Sequence, residues 1–375
     1  MATYITSKIF IKNSIFSCFP LRNYLRSISL NQPPHMRRLT PILVALAIAT
    51  LPGLTSGQSV TTIPVGFTTA TVPAATDASN PASTVISAPF YAVADFVGAV
   101  SSVDSSNQLS VSGAAFGSLT GTPHLARLKS GASIGRFFVV TANTATQLTL
   151  DTTTAGYTLT TGAPSTTQAQ VNVGDSVEVL PANTLGTLFG TSSVPFQTGA
   201  SANASDNVYL FNGASWDVYF HNGTNWRRSG SGLNQNNAVV LPDRGMFIVR
   251  RAVSPLSFTF LGTVPSTTER TDFTGPASTF RSVRFPVDTT VLGLGLQALP
   301  SWLAGASASA SDNLYLWNGS SWSVYFYNGT NWRKSGSGLN QNTTVIPLGT
   351  AMFVVRQSTA AGSTSTLVQT LPYTL

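Results

Sequence analysis

The chain has 375 residues, enough for about two or three compact domains, and only 9% of them are charged. Aromatic residues supply 10% and aliphatic residues are plentiful, so a core can be buried and wholesale disorder is excluded. The 20 Lys and Arg against 13 Asp and Glu give a formal charge of +7, which suggests an anionic partner until the charges are located.

Residues 1–57 read as sequence outside the fold. Met36 to Gly57 has the layout of a secretory signal peptide: Arg37 and Arg38, a short apolar run from Pro41 to Leu51, then the small residues Thr55-Ser56-Gly57. The run is too short for a membrane-spanning helix, which needs ~20 residues. Met36 is a plausible true start, and residues 1–35, basic and without an acid, read as upstream sequence. Six of the 20 basic residues and none of the 13 acids precede Gln58, which leaves 14 against 13. No basic field then remains for nucleic acid. Cys18, the single cysteine, also lies in this stretch, so the remainder has no thiol chemistry. No later segment has transmembrane length.

Self-comparison reveals a duplication. Ser205 to Arg250 realigns on Ser311 to Arg356 about 106 residues later, without a gap. The first copy begins SDNVYLFNGASWDVYFHNGTNW and the second SDNLYLWNGSSWSVYFYNGTNW; both end in MFIVR or MFVVR. A weaker echo links Gly66–Pro73 with Phe258–Pro265 and Thr364–Pro372, each an apolar strand closed by proline. A second links PASTVISAPF at Pro81 with PASTFRSVRF at Pro276. In the first copy the PAST segment and the aromatic block stand roughly 89 residues further apart, which marks about 93–182 as an inserted β module. The domains expected are therefore 58–252, a first lobe carrying that insert, and 253–375, a second lobe.

The pattern is all-β: two homologous β-sandwich-like lobes with a small β-barrel-like module inserted in the first. Asn212-Gly213, Asn222-Gly223, Asn318-Gly319 and Asn328-Gly329 sit between aromatic and β-branched runs, the signal of a tight hairpin with a type I′ turn. Strands are expected at Val208–Phe211, Trp216–His221, Val239–Leu241 and Met246–Arg250, and one repeat later. Phe258–Val264 is expected to run antiparallel to Met246–Arg250, and Thr364–Leu371 likewise beside Met352–Arg356.

The opening TTIPVGFTTATVPAATDAS, the phrase LPANTLGTLFG and the block from DNVYLFNG to MFIVRR resemble an uncharacterised family of secreted bacterial proteins, of verrucomicrobial type. The resemblance covers nearly all of residues 58–250, and the second aromatic block is an extra copy. It implies export, and with no activity or catalytic residue assigned to that family none is carried over.

Residues able to carry chemistry are few. His124 and His221 stand alone, and His221 is Tyr327 in the second copy. Glu178 and Glu269 are isolated in sequence, so no carboxylate pair can be nominated. Asp206 and Asp312 recur, and a turn or strand-opening cap suits them better than a calcium ligand. No metal cluster or nucleotide-binding motif occurs. Alternation puts Trp216, Val218 and Phe220 on one face, read as core, and Asp217, Tyr219 and His221 on the other. The second face, with Tyr325, Tyr327, Trp226 and Trp332, is a solvated surface or a platform for sugar rings. The reading is a non-enzymatic exported structural or adhesive protein of the cell envelope or extracellular space. The alternative is a carbohydrate-binding protein that meets polysaccharide or envelope components through those aromatics.

Overall fold

β-branched and aromatic runs become strands throughout, and the protein is all-β: two sandwich lobes related by the duplication, with a closed six-stranded barrel inserted in the first. The computed structural model describes residues 7–9, 63–77, 79–357 and 363–375. The Met36–Gly57 leader, the Met36 start and Cys18 lie outside the described residues. Ser7–Ile9 does not stand outside the fold as expected: it runs antiparallel to Val65–Val72, with Ser7 opposite Thr68. It covers an edge whose backbone groups would otherwise lack partners.

Each lobe holds a five-stranded antiparallel sheet. In the first the order is Trp226–Arg228, Trp216–His221, Asn207–Phe211, Met246–Arg250, Ala82–Ile86. In the second it is Trp332–Lys334, Trp322–Tyr327, Asn313–Trp317, Ala351–Arg356, Ala277–Ser282. The expected strand Val239–Leu241 reduces to a single bridge from Val239 to Thr184. Its counterpart Val345–Ile346 does pair, with Thr289–Thr290.

The second layer of each sandwich is an antiparallel ribbon. Leu256–Thr263 pairs with Val65–Val72 in the first lobe, and Ser363–Gln369 pairs with Glu269–Gly275 in the second. The expected pairing with Met246–Arg250 and Met352–Arg356 does not form because those strands have no free edge. Met246–Arg250 lies between Asn207–Phe211 and Ala82–Ile86, and Ala351–Arg356 is flanked in the same way. The ribbons cover a sheet face instead. Leu256, Phe258 and Phe260 alternate inward onto Trp226, Met246 and Ile248. Phe273 and Leu367 cover Trp332, Met352 and Val354.

The inserted barrel runs Ser176–Pro181, Phe96–Ser105, Gln108–Val111, Gln147–Leu150, Phe137–Asn143, His124–Leu128 and closes on Ser176–Pro181. Leu109, Leu148, Val177 and Val179 are fully buried and pack with Val100, Phe138 and Leu150 as the core of this module.

The Asn-Gly hairpins are not two-residue type I′ turns. That turn needs positive φ at both central residues, yet among the described residues Ser301 is the one non-glycine with positive φ. Each loop instead spans Asn-Gly-x-x, with the asparagine carboxamide accepting two backbone N–H bonds. Asn212 Oδ1 accepts from Ala214 N at 3.1 Å and Ser215 N at 2.8 Å, and Asn222, Asn318 and Asn328 do the same. The glycine alone takes the left-handed conformation, φ 104° at Gly213.

The outer faces of the two five-stranded sheets pack on each other. Phe211 meets Phe353 at 5.4 Å, and the repeat-related pair Phe247 and Trp317 meets at 5.2 Å. Trp216 joins Phe280 at 5.2 Å and Trp322 joins Phe353 at 5.3 Å in the same cluster. Reciprocal contacts of this kind define a two-fold interface, here within one chain. Gly245 and Ala351 are repeat partners that touch across it, and a Cβ on Gly245 would stand 1.9 Å from that of Ala351. Only one of the two positions can carry a methyl group. Gly245→Ala is therefore expected to lower stability by about 1–3 kcal/mol through overpacking. Adding Ala351→Gly should recover most of it, as denaturant melts of the single and double variants will show; no recovery refutes the contact.

Candidate functional site

The six aromatic positions singled out for glycan contact do not form an exposed platform. The ribbon lies on their side of the sheet, so the face expected to be solvated is the sandwich core, and the Trp216 and Trp322 face meets the other lobe. Trp226 and Trp332 are fully buried, and their indole N–H groups donate to Gly190 O at 2.9 Å and Gln297 Oε1 at 3.0 Å. His221 is buried beside Trp226; its Nδ1 accepts from Gly223 N at 3.2 Å, so Nε2–H is the donor to Thr191 O at 2.9 Å. Tyr327 is half-buried against Trp332. Tyr219 and Tyr325 lie at the core margin, 8% and 7% exposed.

The residues identical in both copies serve the scaffold. Asn236 Oδ1 takes the Trp226 backbone N–H at 2.9 Å, and Asn234 Nδ2 donates to Asn225 Oδ1 at 3.0 Å. Asn342, Asn340 and Asn331 repeat that clasp around Trp332. Asp206 and Asp312 are fully buried, and neither acts as a turn cap alone. Asp312 accepts from Arg356 Nε at 2.6 Å, Gln357 N at 2.6 Å and Leu303 N at 2.9 Å. Asp206 does the same with Arg250, Arg251 N and Gln197 N.

The two glutamates, isolated in sequence, meet in space on Arg127. Its guanidinium bonds Glu178 at 2.7 Å and Glu269 by a short contact. Glu269, fully buried, also pairs with Arg284 and accepts from Tyr91 Oη at 3.0 Å. Tyr91 comes from the first lobe, Arg127 and Glu178 from the barrel, Glu269 and Arg284 from the second lobe. One carboxylate thus ties three parts together where no substrate reaches it. His124 is likewise committed: its Nε2 lies 2.9 Å from the Asp95 carboxylate and its Nδ1 faces the Leu119 and Thr122 carbonyls. Among the described residues no cluster of three or more His, Cys, Asp or Glu could hold a metal ion.

Two of the clefts open to solvent stand at the same place, one in each copy. The first, about 250 Å³, is lined by Leu210, Phe211, Asn212, Asp217, Tyr219, Val239–Leu241 and Arg244, with Val139, Asp151 and Thr154 of the barrel as its far wall. The second, about 260 Å³, is lined by the repeat partners Leu316, Trp317, Asn318, Ser323, Tyr325, Val345–Pro347 and Thr350, with Thr71 and Thr84 of the first lobe opposite. The apolar frame and the tyrosine are common to both, whereas the polar groups differ. Among the described residues no protein group bonds the hydroxyl of Tyr219 or Tyr325. Burial raises the pKa of both phenols, with Asp217 adding to the rise at Tyr219, so both stay neutral donors. Such hydroxyls are left to water or to a ligand. Sequence reasoning reached the two tyrosines but missed the clefts. The signal was available as the cluster of unlike residues between copies, Phe211/Trp317, Asp217/Ser323 and Arg244/Thr350.

No family model, curated protein or solved structure matches this chain.

Proposed function

We propose that this is an exported, non-enzymatic protein with a structural or adhesive role at the cell envelope or outside the cell. The observation that carries the reading is where the ionisable groups are spent. Glu178, Glu269 and Asp272 are engaged in buried or half-buried pairs with barrel arginines, Asp206 and Asp312 in pairs that brace each lobe from within, and His221 in a buried hydrogen bond. A general acid or base needs a group free to meet substrate, and these are not free. The leader at Met36–Gly57 supplies the route out. Among the described residues no helix is long and apolar enough to cross a membrane.

The test is fractionation of the native host with an antibody, joined to mass spectrometry of the N-terminus. The protein is expected in the envelope or the medium, beginning near Gln58 and so without the Ser7–Ile9 strand. Recovery from the cytoplasm with residues 1–35 attached overturns the reading. The twin clefts favour a second reading, contact with polysaccharide. They offer an apolar wall and an unbonded phenol in the same place twice, which suits a repeating polymer.

A further inference from the structure

We propose that the cleft of the first copy binds an acidic sugar, a hexuronate residue, with Arg244 receiving its carboxylate; this rests on the polysaccharide reading and names the ligand class for one of the two clefts. Arg244 is the cation of this cleft, and no carboxylate bonds its guanidinium, although the neighbouring Asp243 offsets part of its charge. Arg244 makes no salt bridge among the described residues, its Nε is buried with no partner, and its single hydrogen bond is a long one, 3.5 Å, to Thr154 O. Burial lowers its pKa from the ordinary arginine value, and a bound carboxylate offsets that desolvation.

The acids nearby do not fill the role. Asp217 is held by Arg228 at 2.5 Å and by Asn212 Nδ2 at 3.4 Å. Asp151 caps the short helix Thr152–Ala155 by accepting from Thr154 N at 2.9 Å. Asp243, next in the chain to Arg244, pairs with Arg281 at 3.5 Å. Asp151 and Asp217 keep their charge beside the cleft, and Arg244 is the charged side chain of its lining without a close bonded partner.

The rest of the cleft suits a sugar ring better than a bare anion. Phe211, Val239 and Leu241 present an apolar wall of the kind on which the C–H face of a pyranose packs. The Tyr219 hydroxyl is a polar group placed for a ring hydroxyl. A cavity of about 250 Å³ has room for a single ring and not for an extended chain. An arginine is the side chain whose planar fork matches a carboxylate in two parallel bonds. In the second copy Thr350 stands in place of Arg244 and Ser323 in place of Asp217, so that cleft is uncharged. The two clefts then discriminate: the first takes the acidic residue and the second does not.

The experiment is calorimetric titration of the full chain with digalacturonate, the neutral galactose disaccharide and N-acetylglutamate, each to millimolar concentration. Digalacturonate is expected to bind at least about tenfold more tightly than either of the others, in keeping with one charge-assisted bond of ~1.5–3 kcal/mol. Arg244→Gln should remove that preference. Arg244→Lys should keep part of it, and Tyr219→Phe should weaken digalacturonate several-fold with an unchanged melting temperature. Equal binding of N-acetylglutamate and digalacturonate overturns the sugar assignment. Digalacturonate binding that survives Arg244→Gln overturns the site. If the neutral disaccharide binds and digalacturonate gains nothing over it, this inference falls while the polysaccharide reading stands. If no saccharide binds, both fall.

Discussion

Glu269→Gln is expected to be among the most destabilising single substitutions in this protein, by about 3–5 kcal/mol. The substitution keeps the shape of the side chain and removes its charge. Arg127 and Arg284, 2% and 3% exposed, then face each other across a neutral carboxamide. Their remaining nitrogens offer no relief, because Arg127 Nε and Arg284 Nε and Nη1 already lack partners. Arg284 is left desolvated without a carboxylate and Arg127 keeps Glu178 alone, and breaking a buried ion group in this way costs far more than the intact group contributes. Glu178→Gln is the internal comparison. Its carboxylate is at the rim, 12% exposed, and its partner Lys129 also bonds Ser266 Oγ at 2.8 Å, so a loss nearer 1 kcal/mol is expected. Urea melts of the two variants decide it. If Glu269→Gln melts no earlier than Glu178→Gln, the three-part tie is not a stability element.

That tie shows how far the amino-acid sequence could be read. The duplication was legible because strand alternation, Asn-Gly loops and the Met-Phe-x-Val-Arg strand repeat in register. The barrel was legible as a run of alternating strands out of step with the duplication. The inward face of Trp216–His221 was not. Alternation divides a strand into two faces but does not say which one a ribbon covers. Here both are covered, Tyr219 by the ribbon side and Trp216 by the other lobe, so apolarity could not choose between them. Glu178, Glu269 and Arg127 are distant in sequence, and nothing local signals their meeting. The recurrence of Asp206 with Arg250, and of Asp312 with Arg356, was visible at a constant separation and went unpaired because a cap explained each aspartate by itself. Glu269–Gly275 was missed as a strand for a different reason. Its Glu, Arg and Asp suppress the apolar echo that exposed its three relatives, and they do so because that strand docks on the barrel. Arg270 donates to Ile134 O at 2.8 Å, and Asp272 pairs with Arg136 at 3.0 Å.

Truncation after residue 362 is the second large effect. The fold converts an apparent surplus strand into half of a ribbon: seven residue pairs join Glu269–Gly275 to Ser363–Gln369, from Gly275 opposite Ser363 to Glu269 opposite Gln369. Without residues 363–375, Glu269–Gly275 loses this partner strand and Phe273, fully buried, loses the covering Leu367. Uncovering a phenylalanine and a leucine removes about 1.5–3 kcal/mol each. The Tyr373 hydroxyl, which donates to Pro265 O at 2.8 Å, and the Ser365 hydroxyl, which donates to Pro300 O at 2.6 Å, are lost as well. A typical domain has ~5–15 kcal/mol in total, so these losses approach the whole stability of the second lobe. They also reach further, because the loosened strand carries Glu269 and with it the tie to the barrel and the first lobe. The truncated chain is therefore expected to show an early, separate unfolding transition, dye-accessible apolar surface and a tendency to associate through the bared edge. Restoring residues 363–369 alone should return most of the cooperativity, since they contain every ribbon pair. A truncated chain that melts in one transition at the temperature of the intact protein would falsify the role assigned to this strand.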